Sequence, residues 1–194
     1  MIVEHTDLSI TTDGRLAEDF IRDLKLQGVY LTNYDEYMLR DPLNRWTTGV
    51  TYRLKVIDGD WIPDELRTIQ HIREVASQHS LIAPPTEVAP YLREKLQVIF
   101  SAAKISTLVV AHDALENPDK HPSLFCLLDN EYHRKTRREF RHYPQRANSI
   151  WSLHWHCGFV FVESVTGLSE TSYVNQALIE RERPRMEVIT RPGR

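Results

Sequence analysis

The 194-residue sequence predicts an α+β fold: a single domain over residues 1–194, with a mixed or mainly antiparallel sheet of about five to six strands and helices packed on one face. Three observations carry this reading. The stretch from Trp46 to Gly59 alternates with the two-residue period of a strand, and three further apolar runs follow one another in the second half. Helical periodicity marks segments between Thr12 and Gly28 and between Pro63 and Ala103. Strands and helices do not alternate regularly, as a doubly wound fold would require.

The elements follow in order. In "TTDGRLAEDFIRDLKLQG", Leu16, Phe20, Ile21 and Leu24 form an apolar stripe, with Thr12 or Asp13 as N-cap and Gly28 as the stop. In "WTTGVTYRLKVIDG", Trp46, Val50, Tyr52, Leu54 and Val56 share one face, and Thr47, Thr51, Arg53 and Lys55 the other, before an Asp58-Gly59 turn. A helix opening at Pro63, Asp64 and Glu65 turns Leu66, Ile69, Ile72 and Ala76 inward, its acidic first turn suiting the helix dipole. After Pro84 and Pro85, a further helix carries Val88, Leu92, Leu96, Phe100 and Ala103, with Pro90 tolerable in the first turn. "ISTLVVAHD", "SLFCLLD" and "IWSLHWHCGFVFVE" read as strands, and "RMEVIT" as a fourth. A last helix runs from Ser169 towards Arg183 and stops at Pro184.

Composition excludes several classes. Hydrophobic residues at 41% and charged residues at 26% are ordinary for a globular chain and argue against disorder. The start lacks a basic region followed by an apolar one, and no run has the length of a membrane helix, so a cytoplasmic protein without membrane contact is expected. Two cysteines, Cys126 and Cys157, each inside an apolar run, suit a reducing compartment and act as small hydrophobes. Walker, Rossmann, zincin and nucleophile-elbow signatures are absent, and seven glycines leave little for a phosphate cradle. No cofactor is expected.

The candidate site follows from strand phase. With Ile150 to Glu163 as one strand, Trp151, Leu153, Trp155, Cys157, Phe159 and Phe161 share an apolar face, while Ser152, His154, His156 and Gly158 share the other. His154 and His156 thus project together, about 6.5 to 7 Å apart at Cα, close enough to hold one anionic group or one metal ion. An antiparallel sheet also has a solvated face on which histidine is an ordinary occupant. A metal would need a third ligand, and His112, Asp113, Asp129, His133 and His142 are the candidates, none with diagnostic spacing. No metal is therefore assigned. Gly158 leaves room over the sheet for a ligand or a neighbouring side chain.

Charge adds a second ingredient. "HRKTRREFRHYPQR", His133 to Arg146, carries six Arg and Lys against Glu139, a net +5 that leaves −8 for the rest of the −3 chain. Read as a helix through Tyr132, Thr136, Phe140 and Tyr143, it presents Arg137, Arg138 and Arg141 outward. Together with Arg53 on a polar strand face, these arginines form the binding set for a small anionic ligand, with His154 and His156 as its acid or base. Whether the protein is an enzyme stays open. One rival is contact with nucleic acid through the same arginines and the interleaved aromatics, which the acidic remainder opposes. The other is a non-catalytic interaction or scaffold protein meeting an acidic partner.

Overall fold

Residues that alternate in sequence between two apolar sets produce a sheet with both faces buried. The computed structural model describes residues 2–96, 105–129, 138–144, 151 and 157–163. Strand β1 (Ile2–Asp13) leads into helices α1 (Ala17–Leu26) and α2 (Asn33–Leu39) and strand β2 (Thr48–Asp58). Two 3-10 turns (Gly59–Trp61 and Asp64–Leu66) precede helix α3 (Ile69–Gln78), the short strand β3 (Leu81–Ile82) and helix α4 (Val88–Lys95). Strands β4 (Thr107–Val110), β5 (Leu115–Glu116), β6 (Pro122–Asp129), β7 (Arg138–Pro144) and β8 (Cys157–Glu163) complete the order. All of these elements fall in one compact unit, Met1–Glu163.

The class is α+β, with a mixed sheet of eight strands rather than five to six. Its order is β1-β2-β8-β4-β6-β5, with β3 also pairing β8 and β7 also pairing β6. Only β4 and β8 run parallel; the other named pairs are antiparallel. One face carries Tyr52, Leu54 and Val56 of β2 and Val160 and Val162 of β8 under α1, α2 and α4. The opposite face carries Ile57, Cys157, Phe159 and Phe161, covered by Ile72 and Ala76 of α3 and by Trp151. Helix α3 therefore stands apart from the other three helices. Cys126 and Cys157 are free and buried in this second core, where burial raises both thiols, Cys157 to about 11. They pack as small hydrophobes, as expected.

Several boundaries differ from the sequence reading, for identifiable reasons. Thr12 and Asp13 belong to β1, and α1 begins after Leu16; Gly28, at φ +74°, ends the helix as expected. Thr68, accepting from the His71 N–H at 3.3 Å, caps α3, so Leu66 lies before the helix and is exposed. The basic segment is corrected over its described part. Arg138–Pro144 is a strand, paired with β6 from Ser123 to Asp129, and not a helix. Its outer edge is also bonded, since the Tyr30 N–H donates to the Arg138 carbonyl at 2.9 Å and the Phe140 N–H to the Tyr30 carbonyl at 3.0 Å. The helix and strand expected between Ser169 and Thr190 lie outside the described residues.

A buried arginine ties the second core together. Arg67, 2% exposed, donates Nε to the Gly59 carbonyl at 2.9 Å, one terminal nitrogen to the Trp151 carbonyl at 3.2 Å and the other to the Ile62 carbonyl at 2.6 Å. The second of these nitrogens also pairs with Asp64 at 2.9 Å, and the Trp151 N–H returns a bond to the Arg67 carbonyl at 3.0 Å. Gly59 fits here because a Cβ would stand 2.7 Å from the Cys157 carbonyl. Replacing Arg67 with Met strips donors from buried carbonyls and should cost about 2–4 kcal/mol in urea unfolding. The same change at exposed Arg45 should cost under about 0.5 kcal/mol, and equal losses at both positions would deny Arg67 this role.

Candidate functional site

The polar face predicted for β2 is present and is open at one end of the sheet. Tyr52, Leu54 and Val56 are buried, whereas Thr51 and Arg53 are exposed and Lys55 is half-buried. On β1, Ser9 stands opposite Arg53 and Thr11 opposite Thr51, the two threonine hydroxyls 2.9 Å apart. The pairing then slips. Leu8 opposes Leu54 and Val3 opposes Val56, so the four residues 4–7 of β1 stand against Lys55 alone. A bulge of this kind bends its strand and disrupts the ladder.

Beside this irregularity lies a cleft of about 380 Å³, lined by Leu8, Ser9, Arg53, Leu54, Lys55 and Glu163. Lys55 Nζ is 3.1 Å from Glu163 Oε1. Lys95 Nζ donates to the Ser9 carbonyl at 3.1 Å, which brings a third cation beside a lining residue. Among the described residues, the Arg53 side chain has neither a hydrogen-bond nor an ion-pair partner. The site thus contains an exposed guanidinium and an ammonium shared with one carboxylate.

The other predicted site residues lie elsewhere. His154, His156 and Arg137 are outside the described residues, as is His133. The even positions of β8 that are described, Gly158, Val160 and Val162, are buried. A Cβ on Gly158 would approach Val56 Cγ1 to 2.7 Å and Ile105 and Leu108 methyls to 2.9 Å. Gly158 therefore marks close packing and not space for a ligand. Arg53 faces the other way, with the odd positions of β8.

Arg138 and Arg141 sit on β7, four strand spacings from Arg53, which is roughly 19 Å. Arg141 is engaged locally, with Nε 2.8 Å from Glu139 Oε2 and its guanidinium 4.8 Å from the centroid of the Tyr30 ring. The described residues do not bring these arginines and Arg53 around one small ligand. Nor, among the described residues, does any group of three His, Cys, Asp or Glu side chains stand ready for a metal ion.

One polar constellation escaped the sequence reading. Asp35 is fully buried and accepts from both the backbone N–H and Nδ1 of His142 at 2.7 Å through one oxygen. Its other oxygen accepts from the Thr32 N–H and hydroxyl, each at 2.6 Å. The available signal was "TNYD", Thr32 to Asp35, a capping box with Asp in place of Glu. An aspartate-oriented imidazole is the arrangement general-base sites use. Here, however, the carboxylate is consumed in capping α2 and bonding the edge of β7, and no described side chain hydrogen-bonds Nε2.

His112 is fixed as a structural residue. Its ring fills a gap in the β6 ladder between β4 and β5, Nδ1 donating to the Asp113 carbonyl at 2.6 Å and Nε2 accepting the Phe125 N–H at 2.9 Å. That tautomer is the neutral one. Asp113, whose side chain is 96% exposed, lies 3.6 Å from Arg73. The chain matches no protein-family model, no curated protein and no solved structure, so the functional argument rests on these residues.

Burial, aided by nearby Arg73, pushes the His112 imidazole down to about 4 from an ordinary 6.5, against the pull of the Asp113 carbonyl. Between those values the unfolded chain binds the extra proton. The stability due to neutral His112 is therefore complete above pH 6.5 and is lost as pH falls towards 4, by about 3 kcal/mol. Urea midpoints of wild type and His112→Gln across that window should converge as the pH drops. Parallel curves would place the titration elsewhere.

Proposed function

We propose that the protein binds a small anionic ligand in the cleft at the β1–β2 end of the sheet, with Arg53 as the clamp and Lys55 as the second cation. The observation that carries this reading is Arg53 itself: an exposed guanidinium lining a cleft, with no partner among the described residues. Guanidinium groups offer paired donors that match carboxylate and phosphate oxygens. The size of the cleft, about 380 Å³, falls in the range of small-ligand sites. The neighbouring Ser9, Thr11 and Thr51 provide hydroxyls on the same polar surface. The reading is one of binding, and it names no reaction.

Phosphate, sulfate and citrate, each at constant ionic strength, should raise the melting temperature of the wild type. Arg53→Ala should weaken the best of them roughly tenfold or more, the usual cost of a charge-assisted hydrogen-bonding group. Arg141→Ala, on the distant strand, should leave binding unchanged. Equal stabilisation of wild type and Arg53→Ala would refute the cleft. Tight binding of single-stranded DNA, falling steeply with salt and insensitive to Arg53, would move the function to the basic segment.

A further inference from the structure

The charge balance of the cleft points to a narrower ligand class. Lys55 is already paired with Glu163 at 3.1 Å, so an anion that takes Lys55 competes with a carboxylate for the ammonium's donors. A monocarboxylate would exchange one such contact for another and gain only at Arg53. A group with two negative charges gains more at Lys55 than the competition costs, and gains again at Arg53. Geometry agrees with the charge. Arg53 and Lys55 are two residues apart on one strand face, with Cα atoms about 6.5–7 Å apart, a span that tetrahedral oxygens held by two long side chains can bridge.

Resting on the anion-binding reading of this cleft, we propose that its ligand is a phosphate monoester, and that Glu163 is a built-in competitor setting a threshold only a dianion clears comfortably. Glu163 weakens every anion that reaches Lys55, and as a lining carboxylate it opposes a dianion at least as strongly as a monoanion. Its removal therefore tightens monoanions and dianions alike.

The test uses the full chain and two aryl probes that differ in their charged group, phenyl phosphate and benzoate, followed through the amide resonances of Arg53 and Lys55. Near pH 8, phenyl phosphate should bind about tenfold or more tightly than benzoate, the order expected of one extra charge felt by two solvent-screened cations. Its advantage should shrink by about pH 5, where the phosphate has taken up a proton near pH 6, while benzoate serves as the control. Glu163→Gln should tighten both probes several-fold, and Arg53→Ala should release both.

If benzoate matches phenyl phosphate near pH 8 and both depend on Arg53, the dianion inference falls while the anion-binding reading stands. If neither probe perturbs Arg53 or Lys55, both fall. Unchanged affinities in Glu163→Gln would overturn the competitor role.

Discussion

The burial of β8 on both faces is the constraint around which the molecule is arranged. Phe159 and Phe161 fill one core and Val160 and Val162 the other, so this strand has no polar side until its last residue, Glu163. Gly158 makes the point at atomic scale, because even one added carbon would collide with Val56. Two layers of helices are then required. Helices α1, α2 and α4 cover one face and α3 covers the other, where Trp151 and Arg67 close the remaining flank. Polar chemistry is thereby confined to the margins of the sheet, and the open face of β2 is one of those margins.

Several buried polar groups among the described residues are committed to the backbone or to one another. Glu87, fully buried, accepts the Thr47 N–H at 2.7 Å, the Thr47 hydroxyl at 2.7 Å and the Tyr52 hydroxyl at 2.8 Å. Asp35, Arg67 and His112 are engaged in the same manner. Each fixes a connection that lacks a ladder of its own, and each would be costly to leave unsatisfied. Arg53 contrasts with all of them, being both exposed and unpaired among the described residues. That contrast between a structural charge and an available one is the basis for placing the ligand where we do.

Strand phase was the most legible part of the sequence. Tyr52, Leu54 and Val56 point inward and Thr51 and Arg53 outward, as alternation dictates, and "TLVV" and "SLFCLLD" are strands. The basic segment misled because Tyr132, Phe140 and Tyr143 recur at intervals compatible with a helix. Pairing of Arg138–Pro144 with β6 overrode that weak local signal. β1 was not anticipated, since "EHTDLSITTD" is largely polar and gains its place by pairing with β2. The cleft was legible only in part. Arg53 and Lys55 were on the expected face, but the slip between Val3 and Leu8 and the approach of Glu163 depend on register, which a single sequence does not encode locally.

The bonding along the outer edge of β7 bears on how the protein behaves at high concentration. An unpaired edge strand is a template onto which another chain can add, the first step of edge-to-edge aggregation. Here the Phe140 N–H is taken by Tyr30 and the His142 N–H by Asp35, so an incoming strand would find two of its docking points occupied. At the opposite end of the sheet, Lys95 places an ammonium over the Ser9 carbonyl of β1, a charge that a second strand would have to desolvate. The Tyr30 backbone and the Asp35 side chain thus act as stoppers along β7, and Lys95 as a charged guard at one point of β1.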